Sequence, residues 1–192
     1  ARLGHRDREP AGGGRVFRRT QEIAAEELAG RTFLNMNRLH ALEARRGCSL
    51  DAFSADGRPV RVGSGEMLFV FDKWGGLREY RAVGRAQLVE HGPDRRVART
   101  ISGESLLIEG SGEMLLVTAP AGGEARLDST DSEITAQVIE LFPGSQNIFA
   151  AGGVKLLLKA REESGGSAVG FFSGRQPVMA VSGRLSYERE SD

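Results

Sequence analysis

Apolar positions along this chain come in short alternating runs rather than at helical spacing. Beyond residue 50 the runs are Gly65–Phe71, Leu77–Leu88, Arg99–Ile108, Glu113–Val117, Ile134–Phe142, Ile148–Leu158, Val169–Phe172 and Pro177–Tyr187, bounded by Gly, Asp, Ser and Pro. Runs of this length with turn signals between them predict strands of an all-β sandwich, barrel or stack. Asp56-Gly57, Gly75-Gly76, Gly92-Pro93-Asp94, Gly122-Gly123, Pro143-Gly144 and Gly165-Gly166 supply residues that accept positive φ or preset a bend. The stretch from Thr20 to Arg46 is locally ambiguous. Glu22, Ala24, Ala25, Glu26, Glu27 and Leu28 are good helix formers with Gly30 as a possible cap, and Asn37 to Gly47 reads as a possible second helix.

An internal repeat weighs against those helices. One half-unit is a small residue among alternating apolar positions: Ile23–Leu28, Gly65–Val70, Ile101–Ile108, Ile134–Leu141 and Val181–Tyr187. Its small residue steps through 25, 65, 103, 136 and 183. The other half-unit places a Gly before an apolar strand: Ala82-Val-Gly84 to Leu88, Ala150-Ala-Gly152 to Leu156, and a weaker copy, Ala44 to Leu50, with its Gly one place late. Units that cannot bury an apolar face alone must stack on neighbours. The repeat therefore predicts strand for residues 20–50. Residues 1–19, Arg-rich with Gly12-Gly13-Gly14 and no periodicity, read as a flexible lead-in or linker, leaving 20–188 as one domain.

Composition narrows the function. Lys+Arg and Asp+Glu are both 26 among 192 residues, so the net charge is zero, which argues against nucleic acid as a partner. The single cysteine, Cys48, excludes an internal disulfide and a cysteine-cluster metal site, and the three histidines lie far apart. No run approaches the ~18 apolar residues of a membrane-spanning helix. The chain opens at Ala1 in polar sequence and reads as an excised domain or mature fragment, so the lack of a visible signal peptide proves little. No P-loop, nucleophile elbow or H-E-x-x-H motif is present, and Gly12–Gly14 has neither a preceding strand nor a following Lys. Glu66, Glu104 and Glu113 recur at similar strand positions, where a hydrated outer face accounts for them better than a glycosidase-like pair. Trp74 reads as a turn aromatic that packs over a sheet end, with anchoring of a partner as the alternative.

Together the repeated motifs resemble the OstA-like family of bacterial lipopolysaccharide transport, which comprises LptA, LptC and the N-terminal domain of LptD. The resemblance runs over roughly 20–188. It is clearest at Ile134-Thr-Ala136 with Asn147 to Leu156, then at Arg58 to Ile108, then at Val181-Ser-Gly-Arg-Leu-Ser-Tyr187. It implies a twisted stack of antiparallel strands, a β-jellyroll or β-taco built from repeated strand pairs. It implies a non-enzymatic periplasmic domain, in a Gram-negative-type envelope, that needs no cofactor. Its apolar groove would shield the acyl chains of lipopolysaccharide or a similar envelope lipid. Its open sheet edges would pair end to end with other OstA-like domains, the candidate edges being Ile23–Leu28 and Leu185–Tyr187. Arg45-Arg46-Gly47, the turn Gly92–Arg96 and the stretch Glu162–Gly174 depart from the family's pattern.

The residues offer two readings of the groove. Met67–Phe71, Leu106–Ile108, Met114–Val117 and Leu156–Leu158 are apolar at consecutive positions. Strands buried on both faces would explain this, and so would one face lining an acyl cleft. The candidate lining residues are Leu68, Val70, Leu106, Ile108, Leu115, Val117, Val138, Val154, Leu156, Leu158, Leu185 and Tyr187. Candidate partners for anionic head groups at its mouth are Arg78, Arg81, Arg85, Lys155 and Lys159; a solvated strand face is the plainer explanation of each. A β-domain that serves only assembly in a larger envelope protein would carry the same strands without lipid.

Overall fold

The structure, a computed structural model, describes residues 2–5 (backbone), 21–33, 38–54, 57–94, 96–109, 114–160 and 177–188. These residues are all-β and antiparallel throughout, with no helix among them. Thirteen strands follow in order: β1 (Arg2–His5), β2 (Gln21–Ala24), β3 (Glu27–Thr32), β4 (Leu39–Phe53), β5 (Pro59–Phe71), β6 (Leu77–His91), β7 (Val97–Glu109), β8 (Met114–Thr118), β9 (Ala125–Ser129), β10 (Ser132–Ala136), β11 (Val138–Phe142), β12 (Asn147–Leu158) and β13 (Val178–Tyr187). The described residues between 21 and 46 form β2, β3 and the first part of β4, strands where the repeat predicts them. Their helix propensity loses because Ile23, Leu28, Leu42 and Ala44 bury themselves only by pairing with neighbours.

The long strands cross a common fold line, and the pairing registers divide there into two half-sheets. In one, β2 is followed by the second half of β4, the first half of β5, the second half of β6, the first half of β7, then β9, β10, the end of β12 and the start of β13. In the other, β3 is followed by the remaining halves of β4 to β7, then β8, β11, the start of β12 and the end of β13. These are called half-sheets I and II. The same face of both halves buries one common core.

Left-handed backbone pairs make the fold line. Arg46-Gly47, Gly84-Arg85 and Gly152-Gly153 all have positive φ, between 51° and 83°, and each coincides with a register shift. Each pair bulges one strand and bends it. Glycine sits second in the first pair, first in the second and at both places in the third. That explains the repeat copy whose Gly came one place late: the bend needs two left-handed residues, and glycine relieves either one. Between β8 and β9 the excursion Ala119–Glu124 does the same work. Opposite the bends the chain uses small residues. Cys48 faces Ser64, Ala86 faces Gly103, Ala125 faces Ala136, and Val154 faces Ser182. A Cβ on Gly103 would lie 2.5 Å from the Thr118 carbonyl oxygen, so the two strands admit no side chain there.

Two features differ from expectation. Residues 2–5 are not free lead-in: β1 pairs with β2 at the edge of half-sheet I. The rest of the lead-in, Glu113 and Val169–Phe172 lie outside the described residues. The run Ile134–Phe142 is two strands, because Gln137 leaves the ladder to donate its N–H to the Ala151 and Gly152 carbonyls, at 3.1 and 3.0 Å.

Candidate functional site: the inner face

Cross-strand registers place apolar residues of nine strand positions in continuous rows. In half-sheet II one row runs Leu28, Ala44, Met67, Ala82, Leu106, Val117, Ile139, Ala150, Leu185. In half-sheet I its counterpart runs Ile23, Leu50, Val62, Leu88, Ile101, Leu127, Ile134, Leu156, Ala180. Farther from the fold line in half-sheet II come Leu42, Phe69, Tyr80, Ile108, Leu115, Leu141, Ile148 and Tyr187. Middle positions such as Leu106, Val117 and Ile139 are wholly buried. Exposure rises toward the last strands, to 47% at Leu158 and 53% at Tyr187.

Nine of the twelve expected lining residues share this face: Leu106, Ile108, Leu115, Val117, Val154, Leu156, Leu158, Leu185 and Tyr187. Leu68, Val70 and Val138 do not. Leu68 belongs to the outer row of Glu43, Arg81, Leu107 and Leu116, and Val138 to that of Thr118 and Ala151. Val70 lies beside Ala41 and Glu79, in phase with Leu68. The physical reason is a phase change at the fold line. In the strands without a left-handed pair, inner residues lie five apart across it: Ile23 and Leu28, Val62 and Met67, Ile101 and Leu106, Ile134 and Ile139. In the bulged strands the step is six, as from Ala82 to Leu88 and Ala150 to Leu156. An odd step flips every later side chain to the other face. Unbroken alternation through Val62 or Ile134 therefore selects Leu68, Val70 and Val138, whereas the inner residues are Met67, Phe69 and Ile139. The repeat carries the signal, as a constant spacing of five around each small residue.

The five expected head-group cations are not gathered at a mouth. Arg81 is on the outer face, 3.1 Å from Glu79. Lys155 is exposed and bonds Glu124 at 2.6 Å, which holds that carboxyl below its usual range. Lys159 pairs with Asp128 and donates to the Ser129 carbonyl at 2.6 Å. Arg85 belongs to a left-handed pair of the fold line, and Arg78 is the extra residue of the bulge opposite Val70 and Phe71. The inner face carries a different charged group, which sequence reasoning missed. Glu90 on β6 is buried, with Arg58 Nη1 at 2.7 Å from one carboxylate oxygen and Arg99 Nη2 at 2.6 Å from the other. It extends the inner row of half-sheet I toward its tip, where Ser129 and Ser132 follow. Alternation of Leu88 with Glu90 offered a signal, but a glutamate in an apolar phase reads as a strand end.

One polar group lies inside half-sheet II. Tyr80 is 2% exposed, its ring centroid 4.8 Å from that of Phe69. Its hydroxyl has no hydrogen-bond partner among the described residues. Burial pushes the phenol well above its ordinary range, with a smaller contribution from the Cys48 thiol. Leaving such a donor unpaired costs about 1–3 kcal/mol. Burial likewise raises Cys48, whose Sγ lies 3.3 Å from the Gly65 carbonyl oxygen. Among the described residues no cluster of His, Cys, Asp and Glu has the makings of a metal site.

No family model matches the chain, and no curated protein matches it in sequence. Among solved structures the chain is similar to LptH, described as the LptA homologous periplasmic component of the conserved lipopolysaccharide transport device from Pseudomonas aeruginosa. The two share 12% identity and a TM-score of 0.54, over 84% of this chain and 94% of that one. At that identity the likeness is one of fold: the chain has the twisted, antiparallel β-jellyroll of an Lpt-like protein.

Proposed function

We propose that this domain carries lipid rather than turning over a substrate. It shields the acyl chains of lipopolysaccharide or a similar envelope lipid between half-sheets I and II, in the periplasm, and meets like domains end to end. The observation that carries the reading is the inner face, apolar in unbroken rows across nine strand positions, on a fold similar to that of LptH. Burial of chain methylenes at ~0.8 kcal/mol each would hold a cargo by area alone. The edges supply the joining chemistry. Among the described residues β13 pairs only with β12 and exposes Met179 and Val181, while β3 pairs only with β4. Head-to-tail strand addition extends such a sheet openly.

Crosslinking tests the cargo. A photoreactive residue at Leu156 or Ile108, both only partly buried, is expected to label purified lipopolysaccharide, and one at outer-face Arg81 is not. Equal labelling at all three, or none in the folded protein, removes the groove. A second reading, an assembly domain without cargo, is favoured by the complete burial of Leu106, Val117 and Ile139, which fills the groove beside the fold line.

A further inference from the structure

The tip of half-sheet II puts the chain's only tryptophan in water. Trp74, in the turn from β5 to β6, is 75% exposed and does not pack over the sheet end. Leu77, at the start of β6, is 42% exposed. A turn that only reverses the chain needs neither side chain, since Gly, Asp and Asn serve that purpose better.

The turn is clamped. Asp72 Oδ1 accepts from the N–H groups of Trp74 and Gly76, each at 2.8 Å. The Asp72 N–H donates to the Gly76 carbonyl at 2.8 Å, and the Gly75 N–H to the Asp72 carbonyl at 3.0 Å. Arg38, between β3 and β4, donates from Nη1 to the Lys73 carbonyl at 3.1 Å and ties the two neighbouring turns together. Charge is sorted at the same place. Lys73 Nζ stands 5.0 Å from the centre of the Trp74 ring, and Arg38, Lys73 and Arg78 are all exposed. Of the carboxylates near them, Asp72 is engaged within the turn and Glu79 pairs with Arg81 at 3.1 Å. Glu109 is exposed one strand away, opposite Glu79.

We infer that this turn is a membrane-contact site whose partner is the surface of a bilayer containing anionic phospholipid. An indole has an apolar body and one N–H donor, which suits the boundary between acyl chains and head groups. Leu77 adds hydrocarbon, and the exposed cations meet lipid phosphates. A single ring projecting from a turn enters a yielding headgroup layer, whereas a protein partner would have to carry a pocket shaped for it. Because the clamp already fixes the turn, contact orders little that was free. The contact sets against the bilayer the half-sheet whose inner face stays apolar toward its tip, and it stands whether or not that face takes cargo.

The fluorescence of Trp74 reports the contact directly, as no other tryptophan contributes. The full chain is titrated with vesicles of phosphatidylcholine mixed with phosphatidylglycerol, and with vesicles of phosphatidylcholine alone. With the mixed vesicles the emission is expected to move to shorter wavelength and to be quenched by lipids brominated close to the head group. Sedimentation with the same vesicles compares variants whose thermal unfolding matches the parent. Trp74→Ala is expected to weaken binding about tenfold. Lys73→Gln and Arg78→Gln are each expected to weaken it about fivefold at low salt. Val97→Ala, which trims an exposed apolar residue at the tip of half-sheet I, is expected to leave it unchanged. An emission that does not move, or sedimentation that survives Trp74→Ala, overturns the site. Equal binding to phosphatidylcholine alone, or no response to Lys73→Gln and Arg78→Gln, overturns the anionic surface as its partner. A shift that grows with protein concentration in the absence of vesicles also overturns it, by placing Trp74 against a second protein molecule.

Discussion

Half-sheets I and II are drawn from the same strands in the same order, yet their inner faces differ. Away from the fold line, half-sheet II continues in apolar residues, Leu42, Phe69, Ile108, Leu115 and Leu141, with Tyr80 the one polar atom among them. Half-sheet I turns polar at the equivalent depth, where Glu90, Arg99, Ser129 and Ser132 follow each other across the strands. One half offers apolar surface to its tip. The other closes its tip with an ion-paired cluster. A symmetric repeat thus makes an asymmetric inner face, because the repeat specifies only the rows next to the fold line.

Removing bulk from the apolar half should have the largest effect. Leu106→Ala opens a cavity in a fully buried row and is expected to lower stability by about 2–5 kcal/mol in urea unfolding, with Leu156→Ala in half-sheet I costing less because Leu156 is only partly buried. Equal losses would show that the two positions are equally enclosed in the folded protein. Next comes the line that joins them. Gly103→Ala forces a Cβ against the Thr118 carbonyl and should cost about 1–3 kcal/mol, read as a fall in melting temperature.

The polar tip answers to a different test. Glu90→Ala leaves Arg58 and Arg99 facing each other without their carboxylate, but both arginines are about a third exposed and can turn to water. A loss of about 1–2 kcal/mol is expected, below that of a fully buried pair, and 1 M salt should narrow the gap between parent and variant by weakening the pair in the parent. At the fold line, Arg85→Gly relieves a left-handed side chain and should raise stability by about 1 kcal/mol, whereas Gly84→Ala should lower it by a similar amount.

The smallest effect appears only in alkali. Tyr80 keeps its proton in the folded chain above its ordinary value of 10.0. Below pH 10 both states are neutral there and the group contributes nothing. Above it the unfolded chain sheds the proton and the folded chain does not, so stability falls as pH rises until the buried phenol also ionises. Tyr80→Phe should flatten that alkaline limb in a pH series of urea unfolding curves, and an unchanged limb would show that the phenol is not held in the layer.

Much of the architecture was legible as sequence. Alternating runs, turn glycines and the recurring small residue at 25, 103 and 136 specify strands and a stack, because period-two apolarity and backbone freedom are local properties. They also outweighed the helix propensity of Glu22–Leu28. The repeat even contained the correct phase, five residues from Ile101 to Leu106 and from Ile134 to Ile139. What tertiary structure decided was the face. Leu68 and Val138 are as apolar as Met67 and Ile139, and only the odd step at the fold line separates outside from inside. The same holds for charge: alternation puts Glu90 in phase with Leu88 and Lys155 out of phase with Leu156, but neither charge is satisfied by its sequence neighbours. Their places depend on partners many residues away, Arg58 and Arg99 for one and Glu124 for the other. Sequence alone determines which residues are able to face the core, since polarity and periodicity travel with the chain. Which of them do so is decided by register between strands, a pairing property that exists only once the sheet has formed.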